Sequence, residues 1–164
     1  MSLLLETGDL AGARAGIERG LGFHPGDPQL LCARAQLWLA LGQSGQAWQD
    51  FDLALAADGG LIAALAGRAD LAYQAGDHDR AIADLSRAIE IAADDPDLRY
   101  NRAMLYQAAG DWQAAIEEYT RALGLPGADT GELLAQRDQC YTQLGITGTD
   151  TGEARRARDR VRAP

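Results

Sequence analysis

Gly8, Gly42, Gly76 and Gly110 stand 34 residues apart. Three further series keep the same phase. Five residues after each glycine comes Ala13, Ala47, Ala81 or Ala115. Twelve after comes Gly20, Ala54, Ala88 or Ala122, and seven before the last three come Ala35, Ala69 and Ala103. Small side chains at fixed intervals let helix backbones approach closely where they cross, and a glycine between two helical patterns supplies a turn. The period therefore restricts the chain to a series of helix-turn-helix units. Alanine is abundant, proline is scarce, and no stretch alternates apolar and polar residues as a half-buried strand does. The fold class is all-α.

Local signals agree with that division. Asp27-Pro28 and Asp95-Pro96 each place a capping carboxylate before a proline at the first helical position. Asp9, Asp77 and Asp111 follow the turn glycine, where a carboxylate caps the next helix and suits its positive end. Gln43-Ser44 stands there in one unit, with Ser44 expected to cap instead. Leu37, Leu71 and Leu105 are predicted core residues of first helices, and Ile17, Phe51, Leu85 and Tyr119 of second helices. Arg34, Arg68, Arg102 and Arg137 stand eight residues before a turn glycine, while Asp50, Asp84 and Glu118 stand eight after one. One charge of each sign per unit predicts a ladder of ion pairs that fixes register more than it adds stability.

In period and in the placing of its small residues, the sequence resembles the tetratricopeptide repeat (TPR) family, in the bacterial form of the repeat. Arg68-Ala69 through Tyr73, Gly76-Asp77, Arg80 to Leu85 and Arg87 to Glu90 carry the likeness, and Asn101-Arg102-Ala103 with Ala115 to Tyr119 repeats it one unit on. The resemblance implies a right-handed α-solenoid of about three and a half repeats. The array would occupy residues 1–145, as a half repeat at 1–27, full repeats at 28–61, 62–95 and 96–129, and a partial repeat at 130–145. At the N-terminal end, the register of Leu3 and Leu4 starts the chain partway through a first helix. Near the other end the phase slips by one, to Gly145, and Asp150 stands where an alanine is expected. Residues 146–152 read as a loop. Residues 153–162 read as either a basic capping helix or a frayed tail.

Members of this family line a concave groove with their first helices. Carried over, that face comprises Gln29, Cys32, Gln36 and Leu39; Ala63, Ala66, Asp70 and Tyr73; Asp97, Tyr100, Met104 and Gln107; and Glu132, Ala135, Gln139 and Thr142. Asn101 joins the candidate binding residues as the one counterpart of the polar groups with which some members hold a peptide's terminal carboxylate. The cationic positions of that pattern hold residues such as Cys32 and Asp97, so recognition of a free carboxylate is not expected. Tyr73, Tyr100 and Met104 would anchor apolar groups, and Asp70, Asp97 and Glu132 would orient a neutral to basic protein or peptide.

Charge points the same way. The formal net charge is -9, and all fifteen basic residues are arginine. Five of these lie in residues 153–164, which leaves ten arginines against 22 carboxylates in residues 1–152, a charge of -12. A body so acidic repels phosphate backbones and anionic lipid, so nucleic acid and membrane are not expected partners. Leu3 to Leu5 is too short for a signal peptide or a membrane span, which points to the cytoplasm.

Chemistry-bearing residues are sparse. Cys32 and Cys140 lie far apart outside any CxxC or Cys/His cluster, as buried reduced thiols do. Neither His24 nor His78 has a second ligand at metal spacing, and the glycines form no phosphate-binding loop. No catalytic residue, metal or cofactor is expected. The leading reading is a protein-protein interaction scaffold. Two alternatives stand beside it: self-association through the incomplete N-terminal repeat, giving a homo-oligomer, and a domain that positions substrate or effector in a longer enzyme or sensor.

Overall fold

A computed structural model describes residues 10–146. The expectations for Leu3 and Leu4, the Asp9 cap and the capping helix or tail at 153–162 lie outside the described residues. Eight helices and no strand are found among the described residues: α1 (Leu10–Phe23), α2 (Pro28–Ala40), α3 (Ser44–Ala57), α4 (Ile62–Gln74), α5 (His78–Ile91), α6 (Pro96–Ala108), α7 (Trp112–Ala122) and α8 (Thr130–Gln143). The fold is an all-α helical repeat of the solenoid class. The chain divides into two compact units, Met1–Ile91 and Ala92–Pro164.

In the first unit, α1 packs on α2, α2 on α3, α3 on α4 and α4 on α5, and α2 also touches α4. The small-residue series lies at these crossings. Ala13, Ala35, Ala47, Ala54, Ala81 and Ala88 are fully buried, as are the larger Ile17, Leu37, Phe51 and Leu65. Among the described glycines, Gly67 has the least room for a side chain. A Cβ placed on it would lie 2.3 Å from Cζ of Phe51.

In the second unit α7 packs against both α6 and α8. Its core gathers Ala103, Ala115, Ile116, Tyr119, Ala122, Leu133, Cys140 and Tyr141. α8 begins 34 residues after α6, at Thr130 against Pro96, but runs for 14 residues rather than 13. The one-residue slip in phase therefore falls inside this helix and not in the loop before it.

Four turns share one geometry. Gly42, Gly76, Gly110 and Gly145 have φ of 71°, 78°, 80° and 73°, a conformation that L side chains rarely adopt. At each, the residue after the glycine donates its N–H to the carbonyl five residues back, and the glycine donates to the third residue before it. At Gly145 these bonds are Ile146 N to Tyr141 O, 2.9 Å, and Gly145 N to Thr142 O, 3.0 Å. This paired pattern closes a helix C-terminus by satisfying carbonyls that the helix itself cannot.

Helix starts follow the expected caps, with one exception. Asp27 accepts from Leu30 N, Asp95 from Asp97 N and Leu98 N, Asp77 from Arg80 N and Asp111 from Ala114 N. The expected Ser44 cap is not formed. Ser44 is the first residue of α3, and the cap position falls to Gln43, whose side chain makes no capping bond.

The ion-pair ladder is present on three rungs. Arg34 Nε meets Asp50 at 2.7 Å, Arg68 Nη2 meets Asp84 at 2.7 Å, and Arg102 Nη2 meets Glu118 at 2.8 Å. All three acids are buried, so each needs its partner's charge and several hydrogen bonds to offset desolvation. Asp50 also accepts from the Trp38 indole at 2.9 Å, and Glu118 collects Arg99 and Arg121 as well. Hydrogen bonding to Asp84 raises the Arg68 guanidinium above its ordinary pKa, against the opposing effect of desolvation.

Candidate functional site

The face expected to bind a partner is carried by α2 and α4 in the first unit and by α6 and α8 in the second. On α2, Gln36 is exposed and Leu39 half-buried. Cys32, placed on the same face by the family resemblance, is buried, in keeping with its reading as a buried thiol, and burial pushes that thiol up to about 11. The reason is packing: α2 is flanked by α1, α3 and α4 together, which leaves a narrower free strip than an isolated helix face implies. On α4, Tyr73 is 44% exposed with its ring 5.7 Å from that of His78. Asp70 is exposed and accepts from Gln74 at 2.8 Å.

The second unit brings more of the expected residues together. Pro96, Asp97 and Tyr100 of α6 face Asp129, Glu132 and Leu133 at the start of α8 across a cleft of about 230 Å³. Tyr100 donates its hydroxyl to Glu132 Oε1 at 3.3 Å and stacks obliquely on Tyr119, with ring centroids 5.9 Å apart. Burial, reinforced by Glu132, holds the Tyr100 phenol above its ordinary pKa, so the phenol remains a donor at neutral pH. Gln107 Oε1 in turn accepts from the Tyr119 hydroxyl. Tyr100 and Gln107 thus serve the α6–α7 packing as well as the surface. Asn101, Met104 and Gln139 are exposed and do not line the cleft.

The cleft is acidic by composition. Three carboxylates and one phenol line it with Pro96 and Leu133, and it holds no cationic residue. Asp129 is partly engaged as the cap of α8, accepting from Gly131 N at 3.0 Å and Glu132 N at 3.1 Å. Pro96, Asp129 and Leu133 were not among the sequence-derived site residues. They reach the cleft through the packing of the second unit. Among the described residues no group of three or more His, Cys, Asp or Glu side chains is placed to hold a metal ion. No described helix is long and apolar enough to cross a membrane.

Residues 72–125 match the family model described as Tetratricopeptide repeat. That stretch is similar to tetratricopeptide repeats. Solved structures of similar fold extend over nearly the whole chain. MamA superposes with a TM-score of 0.79 at 18% identity, over 95% of this chain and 91% of that one. PilF of Pseudomonas aeruginosa gives 0.79 at 16% identity, over 95% and 69%. YrrB, described as a TPR protein with an unusual peptide-binding site, gives 0.74 at 15% identity, over 96% and 81%. No curated protein matches the sequence significantly. The tetratricopeptide fold is that of protein-protein interaction scaffolds, which are generally not enzymes.

Proposed function

We propose that this tetratricopeptide chain is an adaptor that binds an extended peptide or partner segment carrying basic and apolar side chains. The observation that carries this reading is the cleft between α6 and α8, where Asp97, Asp129 and Glu132 surround Tyr100 and Leu133. A flat, solvated acidic face offers only screened attraction. A concave one adds an aromatic wall over which an arginine or lysine stem can lie while its charge meets the carboxylates. Tyr73 on α4 and Met104 on α6 supply exposed apolar anchors on their own units. Because these groups project from packed helices, the ordering cost falls mainly on the partner. The peptide-binding site described for YrrB supports the reading by analogy of fold alone.

The test is fluorescence anisotropy of the full chain with two labelled twelve-residue peptides, identical except that one carries three Arg and the other three Glu around a central Leu-Tyr pair. The Arg peptide should bind at least tenfold tighter, about 1.4 kcal/mol, weaken as salt rises, and lose its advantage when Asp97 and Glu132 become Asn and Gln. Equal binding of both peptides, or of neither, would overturn the proposal.

A further inference from the structure

The carboxylates of the α6–α8 cleft are each engaged in a particular way. Gly131 N and Glu132 N both donate to Oδ1 of Asp129. Tyr100 and Gln136 both donate to Oε1 of Glu132. Among the described residues, no donor meets Asp129 Oδ2, Glu132 Oε2 or the side chain of Asp97, which is exposed. The open acceptors thus come from two helices, Asp97 from α6 and the other two from the head of α8. Tyr100 stands with them as a wall already fixed, its hydroxyl tied to Glu132 and its ring packed obliquely on Tyr119. At about 230 Å³ the cleft is smaller than the roughly 300–1,000 Å³ of a small-molecule pocket, which suits it to one side chain.

Elsewhere in the chain the same groups are met by guanidinium. Arg68 bridges carboxylates of two helices, with Nη1 2.6 Å from Asp52 on α3 and Nη2 2.7 Å from Asp84 on α5. Arg14 meets a ring and a carboxylate at once: its guanidinium carbon is 5.6 Å from the Trp38 ring centroid, and its Nε is 2.7 Å from Glu18. The cleft offers both arrangements together, acceptors on two helices and an aromatic wall beside them.

Resting on the adaptor reading above, we infer that the cleft is an arginine subsite. It takes the guanidinium of one partner arginine over Tyr100, bridges it between the open oxygens of α6 and α8, and disfavours lysine. A guanidinium faces a ring while donating in its own plane, and its weak hydration lowers the cost of leaving water. An ammonium is a compact, strongly hydrated point charge, and exposed carboxylates such as Asp97 and Asp129 give it little that water does not. Net charge alone makes the two side chains equivalent; the ring and the divided acceptors separate them.

The test adds a third labelled peptide to the anisotropy experiment above, with Lys at the three Arg positions, and titrates all three peptides into the full chain. The Arg peptide should bind about fivefold tighter than the Lys peptide, and both tighter than the Glu peptide. In the Asp97→Asn, Glu132→Gln double variant the ratio of Arg to Lys affinity should fall to about one, with the urea midpoint unchanged. Equal binding of the Arg and Lys peptides, both above the Glu peptide, would overturn the arginine subsite and leave the basic-peptide reading standing. Neither peptide binding above the Glu peptide would overturn both. A preference for Arg that survives in the double variant would also overturn the subsite, since selection would then lie outside the cleft.

Discussion

Gly67→Ala isolates the packing that the repeat imposes on its helices. Gly67 lies within α4, where alanine is favoured over glycine by about 1 kcal/mol on backbone grounds alone. Its added Cβ would stand 2.3, 2.7 and 2.9 Å from three ring carbons of Phe51, whereas carbons in contact settle near 3.5–4.0 Å. The ring is fully buried, so relief requires α3 and α4 to separate rather than a side chain to swing aside. Overpacking of this kind costs about 1–3 kcal/mol, often towards the upper end for backbone shifts. Set against the helix gain, a net loss of about 1–2 kcal/mol is expected, which is roughly 2–8 °C in thermal midpoint for a chain of this size. Gly16→Ala is the matched control. It makes the same chemical change inside α1, with nothing within 4 Å of the new Cβ, and should raise the midpoint by roughly 2–4 °C. Urea unfolding followed by circular dichroism measures both, and Phe51→Leu completes a cycle in which Gly67→Ala loses most of its cost. If Gly67→Ala were as stabilising as Gly16→Ala, the close crossing of α3 and α4 at this glycine would be refuted.

Two further outcomes follow from the buried charges and thiols. Arg68→Ala leaves Asp84 buried without its bidentate partner and should cost about 3 kcal/mol in urea unfolding. Arg68→Lys should fall between, since it keeps the charge but loses the fork; an unchanged midpoint in both variants would contradict the ladder's role. Burial pushes the Cys32 thiol up to about 11 and raises the Cys140 thiol and Tyr119 phenol as well. A raised acid keeps its proton in the folded chain while the unfolded chain releases it, so stability should fall as pH rises from roughly 8.5 towards 11. Cys32→Ala should make that fall shallower, and an identical pH profile would show that Cys32 does not contribute.

Much of this fold is legible in the sequence because a repeat states the same packing problem several times. A single buried alanine is uninformative, but Ala47, Ala81 and Ala115 in one phase identify a crossing. Likewise Arg68 and Asp84 alone are two charges, whereas three pairs at one separation are a ladder. The period is least informative about contacts made once. The extra residue inside α8 and the close approach of Gly67 to Phe51 have no second copy in the sequence. Cys32 shows the same limit at one residue. The family resemblance places it on the free face, but which part of that face stays free depends on how many neighbours press on α2.

The repeat also sorts structural residues from residues available for function. Asp50, Asp84 and Glu118 are acids with a packing reason to exist, and they leave the solvent for it. Asp97, Asn101, Met104 and Gln139 remain exposed although they lie on the same helices as core residues, and the ladder makes no use of them. Tyr100 and Gln107 stand between these classes, since the hydrogen bonds that join them to Glu132 and Tyr119 also hold α6 against its neighbours. Truncating either residue therefore confounds affinity with stability. The decisive variants for binding are those that change charge without changing packing: Asp97→Asn on α6 and Glu132→Gln on α8.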